Sequence, residues 1–339
     1  MKLIRTEEAV GHVLCHDLTQ IIKGDFKGPR FRKGHIVTEA DIPVLLSMGK
    51  ENLYVWEMVP GMVHENDAAE RLCRICANAN MKRSEVKEGK IELSAACDGL
   101  FRVDVARLNA INALDDIMIA TRHSNTAVKA GDKLCGTRVI PLVIEEEKLR
   151  SAEAIGGGKP LLELLPYRLK TAGVITTGSE VYKGLIQDTF TPVIVEKLKD
   201  YGIEMTEHAI VSDEMAMTAD AIAQMREKGV DLILCTGGMS VDPDDNTPGA
   251  IKMSGAQVIT YGAPVLPGAM FLLGYFNDGT PIMGLPGCVM YAGATIFDLI
   301  LPRVAAGAAV TRADIAAMGN GGLCLGCNPC HWPNCPFGK

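Results

Sequence analysis

The chain has 339 residues, and its 34 lysines and arginines against 41 aspartates and glutamates give a formal net charge of −7. This length is enough for two or three domains with cores of their own. An acidic balance without a local cluster of lysines and arginines offers no field of the kind that binds nucleic acid, so that class of partner is excluded.

The amino-terminal residues and the cysteines indicate the compartment. The opening sequence MKLIRTEEAVGHVL lacks the apolar core of a signal peptide, and no run of about eighteen apolar residues follows. We therefore expect a cytoplasmic protein with no membrane partner. Its 11 cysteines are then expected to be reduced core thiols, some of them possible metal ligands.

The front half predicts two small α+β segments. Residues 1–60 form the first, with a capping-box pattern at Thr38 before a short helix that Gly49 ends, and then a strand over 52–57. Residues 61–150 form a middle domain of unknown role. It contains a helix that begins near residue 68 and a hairpin over 90–102, and residues 145–158 are predicted to be a linker. The C-x-x-C pair of the helix, Cys73 and Cys76, is predicted to be core.

From residue 167 the pattern alternates between strand and helix. Apolar strands are predicted at 173–177, before Val211, at 230–235 and at 281–285, and each precedes a polar loop. The last of these loops is expected to begin a long helix. Right-handed crossovers place the carboxyl ends of such strands at one edge of the sheet, where ligands of open α/β sheets bind. The prediction is an α/β fold with three α/β/α layers and a mostly parallel sheet over residues 165–308.

The loop after Cys235 is suited to holding a phosphate. Gly237 and Gly238 expose backbone N–H groups, and Thr247 followed by Pro248 is typical of a helix start. Asp188, Asp213 and Asp245 come from three separate loops, and carboxylates gathered in this way usually require a metal, a proton or a cationic substrate. A polar surface turn is the alternative for residues 235–250 taken alone.

Together these loops resemble the molybdopterin-binding domain shared by molybdopterin adenylyltransferases, molybdopterin molybdenumtransferases and gephyrin. The resemblance spans about residues 169–307. It rests on TGSE with a following Gly and Asp, on the pair Asp213-Glu214, on TGG leading to D-x-T-P at Asp245, and on LPG at residue 285. Leu266 stands where the family's K-P-G segment has lysine.

The resemblance implies a site for molybdopterin, a dithiolene pterin phosphate, with Mg²⁺ during transfer or release of AMP. Asp213 and Asp245 match the family's essential acids, and Asp188 is a third candidate for catalysis. The predicted cofactor-binding residues are Thr177, Gly178, Ser179, Glu180, Thr236, Gly237, Gly238, Met239, Ser240, Thr247, Pro286 and Gly287.

The branch of the family is indicated by the front half. Residues 7–14 and 34–41 resemble the opening of the molybdenumtransferases, which favours insertion of molybdate with release of AMP. The middle segment and the end of the chain depart from that branch. Two alternatives stay open, a non-catalytic molybdopterin carrier or sensor and a nucleotide pyrophosphatase of the competence-damage type. The family also implies a homo-oligomer, either a dimer or a trimer, and a molybdoenzyme is a possible partner.

The tail, residues 319–339, breaks from the family. Its cysteines have the spacing C-x2-C-x2-C-x4-C, which approximates a ferredoxin run and also suits tetrahedral Zn²⁺. The predicted ligands of a zinc ion or an iron–sulfur cluster are Cys324, Cys327, Cys330 and Cys335, with His331 as a possible substitute for one of them. The alternative is a flexible reduced tail that hinges at residues 319–322.

Overall fold

The computed structural model describes residues 2–22, 25–55, 60–240, 242–243 and 245–339. These form two compact units. The first contains residues up to 96, 103–124 and 131–163, and the second contains 97–102, 125–130 and 164–339. The domain limits predicted at residues 60, 150, 165 and 308 stay predictions.

As far as it is described, the front half consists of short strands and four α-helices. The strands are β1 Lys2–Arg5, β2 Leu18–Ile22, β3 Phe26–Phe31, β4 Asn52–Val55, β5 Met62–His64, β6 Met81–Arg83, β7 Lys90–Ala95, β8 Gly99–Val103, β9 Ile117–Thr121, β10 Thr126–Val128, β11 Lys133–Val139 and β12 Val143–Glu145. The helices are α1 Asp41–Ser47, α2 Glu65–Cys76, α3 Val105–Asn112 and α4 Glu146–Gly156. A 3-10 turn covers Thr6–Glu8.

The second half alternates strand and helix. Its strands are β13 Leu162–Pro166, β14 Thr171–Thr177, β15 Glu204–Val211, β16 Leu232–Thr236, β17 Gln257–Tyr261, β18 Leu272–Tyr275 and β19 Pro281–Leu285. Its helices are α5 Ser179–Tyr182, α6 Phe190–Lys199, α7 Met215–Glu227, α8 Thr247–Met253, α9 Ile296–Ala305 and α10 Arg312–Ala317. A 3-10 turn covers Gly287–Met290.

The first unit combines small antiparallel sheets with amphipathic helices, so the expected smaller α+β segments are confirmed. β6, β7, β11 and β9 form its largest sheet, in that order. Helix α2 buries Leu72, Cys73 and Cys76, which confirms that the C-x-x-C pair belongs to the core. The strand predicted over 52–57 is present up to Val55, and its last two positions lie outside the described residues.

The hairpin predicted around Asp98-Gly99 is wrong. β7 pairs with β6 and β11, whereas β8 lies between β10 and β13. Gly99 serves close packing and not a turn. A Cβ there would lie 2.4 Å from the carbonyl oxygen of Leu165, so the glycine permits the close approach of β13. The Asp98 carboxylate accepts a hydrogen bond from the N–H of Ala130 at 2.8 Å.

The linker predicted over residues 145–158 is also wrong, because α4 occupies it. Leu149 and Ala152 are buried on one face, and Glu146 and Glu147 lie in the first turn, where the helix dipole favours acids. Gly157 ends the helix in the left-handed conformation with φ of 60°. The sequence suggested a linker because only a few apolar positions mark the buried face.

The second unit is built on a six-stranded sheet whose order is β15-β14-β16-β19-β18-β17. Neighbouring strands are parallel from β15 to β19, and β18 is antiparallel to both of its neighbours. One face packs on α6 and α9 through residues such as Val174, Leu234 and Ile300. The other packs on α7 and α8 through residues such as Ile233, Ile222 and Ile251. The predicted three-layer α/β/α fold with a mostly parallel sheet is confirmed.

The segment after β19 differs from the long helix that was predicted at its end. The 3-10 turn at Gly287–Met290 comes first, and α9 begins only at Ile296. Thr295 caps α9, since its hydroxyl accepts from the N–H of Phe297 while its own N–H donates to Asp298. This capping box is a stronger helix start than Pro286-Gly287. Within the described residues, no helix has the length and apolar character needed to cross a membrane.

Replacement of Leu234 by alanine tests the buried central strand. Leu234 is fully buried in β16, so L234A should lower the free energy of unfolding by about 2–5 kcal/mol. L185A is the matched control, because Leu185 is 72% exposed and its loss should change stability by no more than about 0.5 kcal/mol. Urea unfolding followed by circular dichroism measures both, and equal costs would contradict the layered packing.

Candidate functional site

The candidate site lies at the carboxyl edge of the parallel strands. Register pairs Thr177 with Val211, Thr176 with Thr236, and Thr236 with Leu285, so the four strands end side by side. The loops that follow β14, β15, β16 and β19 therefore start at the same edge, as the sequence predicted.

A network of two threonines fixes the glycine loop after β16. The Thr247 hydroxyl donates to the carbonyl oxygen of Gly237 at 2.9 Å, and its N–H donates to the carbonyl of Gly238 at 3.2 Å. The Thr177 hydroxyl donates to the carbonyl of Thr236 at 3.0 Å and lies 3.3 Å from the Thr247 hydroxyl. Both threonines are buried. The start of α8 is thus fastened to the end of β14.

Gly237 and Gly238 are required by both conformation and space. Their φ angles are 80° and 55°, in the region that favours glycine. A Cβ on Gly237 would lie 2.3 Å from the carbonyl oxygen of Thr177, and one on Gly238 would lie 2.8 Å from the Thr247 hydroxyl. Thr247 was expected to cap α8, but the helix begins at Thr247 itself and its hydroxyl holds the loop instead.

Asp213 connects three loops. Its Oδ2 accepts a hydrogen bond from the N–H of Ser179 at 2.8 Å, and its carbonyl oxygen accepts from Asn246 Nδ2 at 3.1 Å. The side chain is half-buried, and its Oδ1 makes no hydrogen bond to another described residue. One carboxylate oxygen positions the loop after β14, and the other is available to a ligand.

Asp245 lies one residue before Asn246 and is half-buried. Its N–H donates to the carbonyl of Asp242 at 3.0 Å, and its carboxylate has no hydrogen bond or ion pair with the described part of the chain. Burial and the charge of Asp245 raise the pKa of the Tyr261 hydroxyl. The N–H groups of Gly238, Met239 and Ser240 donate to no described residue.

Asp188 has a different environment. Its Oδ1 accepts from the N–H groups of Phe190 and Thr191 at 2.9 and 3.0 Å, and its Oδ2 accepts from the hydroxyls of Thr176 and Thr191 at 2.9 and 2.6 Å. Burial would raise the pKa of this carboxyl, but these hydrogen bonds outweigh burial and hold it below its ordinary value. The carboxylate stabilises the start of α6, and among the described residues it has no hydrogen bond to the loops that carry Asp213 and Asp245.

The other predicted binding residues lie along the same edge. Gly178 and Ser179 are half-buried, Glu180, Ser240 and Gly287 are exposed, and Thr236, Met239 and Pro286 are buried. The Thr236 hydroxyl is buried without a hydrogen-bond partner in the described chain. Its strand position places it on the face with Leu234, away from that of Thr177. Asp242 is exposed, and Asp244 lies outside the described residues.

Two residues of the site were missed from the sequence. The Tyr261 hydroxyl donates towards the carbonyls of Met239 and Ser240, both at 3.1 Å. His208 Nε2 lies 3.1 Å from the Thr176 hydroxyl and 3.4 Å from Asp188 Oδ2. The β-branched run before Tyr261 could have predicted β17, but nothing local shows that this strand reaches the glycine loop.

The four tail cysteines are free thiols. Cys324 and Cys335 are half-buried, and Cys327 and Cys330 are exposed. Within the described residues, which include the whole tail, no three side chains of His, Cys, Asp or Glu are close enough to hold one metal ion. The structure therefore shows no preformed site for either the zinc ion or the iron–sulfur cluster that the sequence predicted.

Residues 173–306 match the family model described as "Probable molybdopterin binding domain", and residues 3–57 match a domain of unknown function. A CinA-like protein of Mycobacterium tuberculosis is 38% identical over 76 residues, 22% of this chain and 18% of that protein. The molybdopterin molybdenumtransferase of Synechococcus elongatus is 31% identical over 146 residues, 40% of this chain and 34% of that protein. The chain thus spans about a third or less of these relatives.

Two solved structures are similar to part of this chain. The molybdopterin biosynthesis enzyme MoaB from Thermus thermophilus has a TM-score of 0.33 at 22% identity, covering 41% of this chain and 98% of that chain. The protein CinA from Thermoplasma acidophilum has a TM-score of 0.33 at 20% identity, covering 40% of this chain and 98% of that chain.

Replacement of Gly237 by alanine separates steric contact from backbone strain. G279A is the matched control, because Gly279 has φ of 88° and a Cβ added there would have nothing within 4 Å. The control should cost about 1–2 kcal/mol through strain alone. G237A should cost clearly more, since the methyl group must displace Thr177. Urea unfolding measures the difference, and equal losses would contradict the close approach.

The lowered pKa of Asp188 predicts a dependence of stability on pH. A carboxyl with a folded pKa below its unfolded value of about 3.9 stabilises the fold above that value, and this stabilisation is lost as pH falls through the folded pKa. The stability advantage of the native chain over D188N should be full near pH 6 and should shrink below about pH 4. Chemical unfolding of both at several pH values measures it, and a constant difference would contradict the hydrogen bonding.

Proposed function

We propose that the edge formed by the loops after β14, β15, β16 and β19 binds molybdopterin or its adenylylated form. The match of residues 173–306 to the molybdopterin-binding domain family supports this proposal. The proposed reaction is insertion of molybdate with release of AMP. The observation that carries the proposal is the pair of hydrogen bonds that Asp213 accepts from Ser179 and Asn246. Beside them, the Asp245 carboxylate and three backbone N–H groups of the glycine loop have no hydrogen-bond partner within the described chain.

The unpaired N–H groups of Gly238, Met239 and Ser240 are suited to an anion. Backbone donors in a glycine loop can approach a phosphate closely, since no Cβ of residues 237 and 238 intervenes. When the phosphoanhydride between AMP and the pterin phosphate breaks, negative charge grows on phosphate oxygens, and fixed donors stabilise that charge without reorganising. Holding both reactants at one edge contributes further through orientation.

The acids are suited to Mg²⁺, which the family implies. Oδ1 of Asp213 and both carboxylate oxygens of Asp245 have no partner among the described residues. Mg²⁺ usually takes one or two protein carboxylates and completes its shell with water and substrate phosphate, so two available acids fit this ion. Bound there, the ion would neutralise phosphate charge. Asp188 is proposed to position α6, because its oxygens are already occupied by four hydrogen bonds.

A second candidate function is hydrolysis of a nucleotide pyrophosphate bond. The observation that favours it is the local identity of 38% to CinA-like proteins, which exceeds that to the molybdenumtransferase. A phosphate-binding loop and two acids serve either reaction. The two differ in products, because adenylylated molybdopterin would yield AMP with a metallated pterin, whereas ADP-ribose would yield AMP and ribose phosphate.

The assembly and cellular setting proposed with this function are a homo-oligomer in the cytoplasm, with a molybdoenzyme as a possible recipient of the product. Sedimentation of the purified chain distinguishes a monomer, a dimer and a trimer. A carrier or sensor remains the non-catalytic form of the proposal, and it requires pterin binding without release of AMP.

Replacement of Asp245 by asparagine tests the enzyme proposal. D245N removes an unpaired carboxylate but keeps the backbone hydrogen bond to Asp242, so release of AMP from adenylylated molybdopterin with molybdate and Mg²⁺ should fall on the order of a hundredfold. D242N is the control, because Asp242 is exposed in the same loop and its side chain makes no hydrogen bond to the described residues.

Chromatography of released AMP, with pterin binding measured in parallel, gives four distinct outcomes. Loss in D245N alone supports the proposal. Unchanged release in D245N contradicts the role of Asp245. Tight pterin binding without any release supports the carrier, and release from ADP-ribose but not from adenylylated molybdopterin supports the pyrophosphatase.

A further inference from the structure

The tail is packed against the second unit. Phe337 is buried in the core cluster that contains α6 and α9, and its ring contacts that of Trp332 with centroids 5.7 Å apart. The backbone of the tail also pairs with the segment around Leu266. The N–H of Leu266 donates to Gly322 and the N–H of Cys324 donates to Leu266, both at 2.8 Å. The tail therefore has a defined position.

The two ends of the tail meet. The N–H of Gly338 donates to the carbonyl of Gly321 at 2.9 Å. A Cβ on Gly321 would lie 2.4 Å from the carbonyl oxygen of Lys339, so glycine is needed for this approach. Residues 319–322 thus take part in a closed loop, in contrast to the hinge that the glycines suggested.

All four tail cysteines line one cavity of about 250 Å³ within this loop. His331 and Trp332 line it as well, and Pro267 and residues 292–294 form the opposite wall. Among the described residues of the lining there is no aspartate, glutamate, lysine or arginine. The cavity is therefore an apolar space whose chemically reactive groups are four thiols and one imidazole.

Gly293, in the part of the cavity wall formed by residues 292–294, leaves space for the thiol of Cys330. A Cβ on Gly293 would lie 2.8 Å from the sulfur of Cys330 and 3.1 Å from its Cβ. The backbone of Gly293 is not in the left-handed region, so close contact with Cys330 is what restricts this position. Cys330 is consequently held against the domain, although the tail continues on both sides of it.

The placement of the thiols distinguishes between two kinds of thiolate-bound group. A single zinc ion draws its four ligands to about 2.3 Å from one centre, and no three metal-binding side chains of the described chain form a group that could hold one ion. All four thiols nevertheless line one cavity of about 250 Å³. In an iron–sulfur cluster each cysteine binds a separate iron, so the thiols stand apart around a shared centre.

We propose that the tail cavity binds a cubane iron–sulfur cluster of the [4Fe–4S] type through Cys324, Cys327, Cys330 and Cys335. Three of the cysteines follow the x2 spacing of ferredoxin runs. The fourth, Cys335, lines the same cavity as those three. Each thiol loses a proton to solvent as it binds iron, and the cluster assembles from two ferrous ions, two ferric ions and four sulfide ions supplied from outside the chain, so that no further oxidant is needed. The proposal is independent of the proposed function, because it requires neither pterin nor catalysis.

The cluster site adjoins the segment around residue 266. Pro267 lines the cavity, and Leu266 forms the backbone pairing with the tail. The tail thus docks on the segment that contains Leu266 and Pro267.

The experiment purifies the full chain without oxygen and reconstitutes it with equal amounts of ferrous and ferric iron and with sulfide, which together supply the [4Fe–4S]²⁺ state. We expect about four iron and four sulfide per chain, a broad visible absorption near 400 nm, and a paramagnetic resonance after reduction. C327A and C330A should each lower iron and sulfide at least severalfold. C97A is the matched control, since Cys97 is a free, partly exposed thiol outside the cavity, and it should keep the full content.

Gly293→Ala provides a test that leaves every thiol in place. Its methyl group would meet Cys330, so iron and sulfide content should fall, whereas G136A, whose Cβ would meet only the Lys90 side chain at an ordinary 3.8 Å, should retain both. Circular dichroism shows that each variant is folded. Stoichiometric zinc without sulfide, iron content unchanged in C327A and C330A, or disulfides in place of bound iron under anaerobic conditions would each overturn the proposal.

Discussion

The close approach of the glycine loop to the end of β14 is the constraint on which the rest of the site depends. Because Gly237 and Gly238 carry no Cβ, their backbone can lie against Thr177 and Thr247. The threonine hydroxyls then donate to the loop carbonyls. The N–H groups of residues 238–240 donate to none of the described residues. The same arrangement starts α8 beside β14 and brings Asn246 to the backbone of Asp213. Loop, helix start and acid are therefore positioned by one steric requirement.

The sequence predicted the second unit well because its pattern is strong and local. Continuous apolar runs before TTG, TGG and LPG are typical of strands buried on both faces, and β19 was placed at its observed bounds. The front half was predicted less well, since strands of three to seven residues give little periodicity. Gly99 illustrates the limit, because a glycine beside Asp suggests a turn unless the packing of β13 is known. Amphipathic α4, with two fully buried apolar side chains, could not be told from a charged linker.

The sequence could propose residues for the site, but it could not show which of their side-chain oxygens are already hydrogen-bonded within the protein. Three aspartates from three loops were grouped by chain order, and the structure separates Asp188, whose oxygens are satisfied within the start of α6, from Asp213 and Asp245. Which oxygens are already hydrogen-bonded is a property of tertiary structure. Likewise the spacing of the tail cysteines left zinc and iron–sulfur chemistry open, and only the structure shows that all four thiols line one cavity.

Tyr261 makes the position of the glycine loop sensitive to high pH, because its hydroxyl must be protonated to donate to the loop carbonyls. The hydroxyl oxygen lies at the same distance from the carbonyls of Met239 and Ser240. Its single hydrogen can donate to either of them, and both donations hold the loop near β17. A tyrosinate would present a negative oxygen to two carbonyl oxygens and would repel the loop from β17. Burial, and then the carboxylate of Asp245, raise the pKa of Tyr261, which moves that repulsion to higher pH. The acid available to a ligand thus also helps to keep the neighbouring hydroxyl protonated and the loop closed.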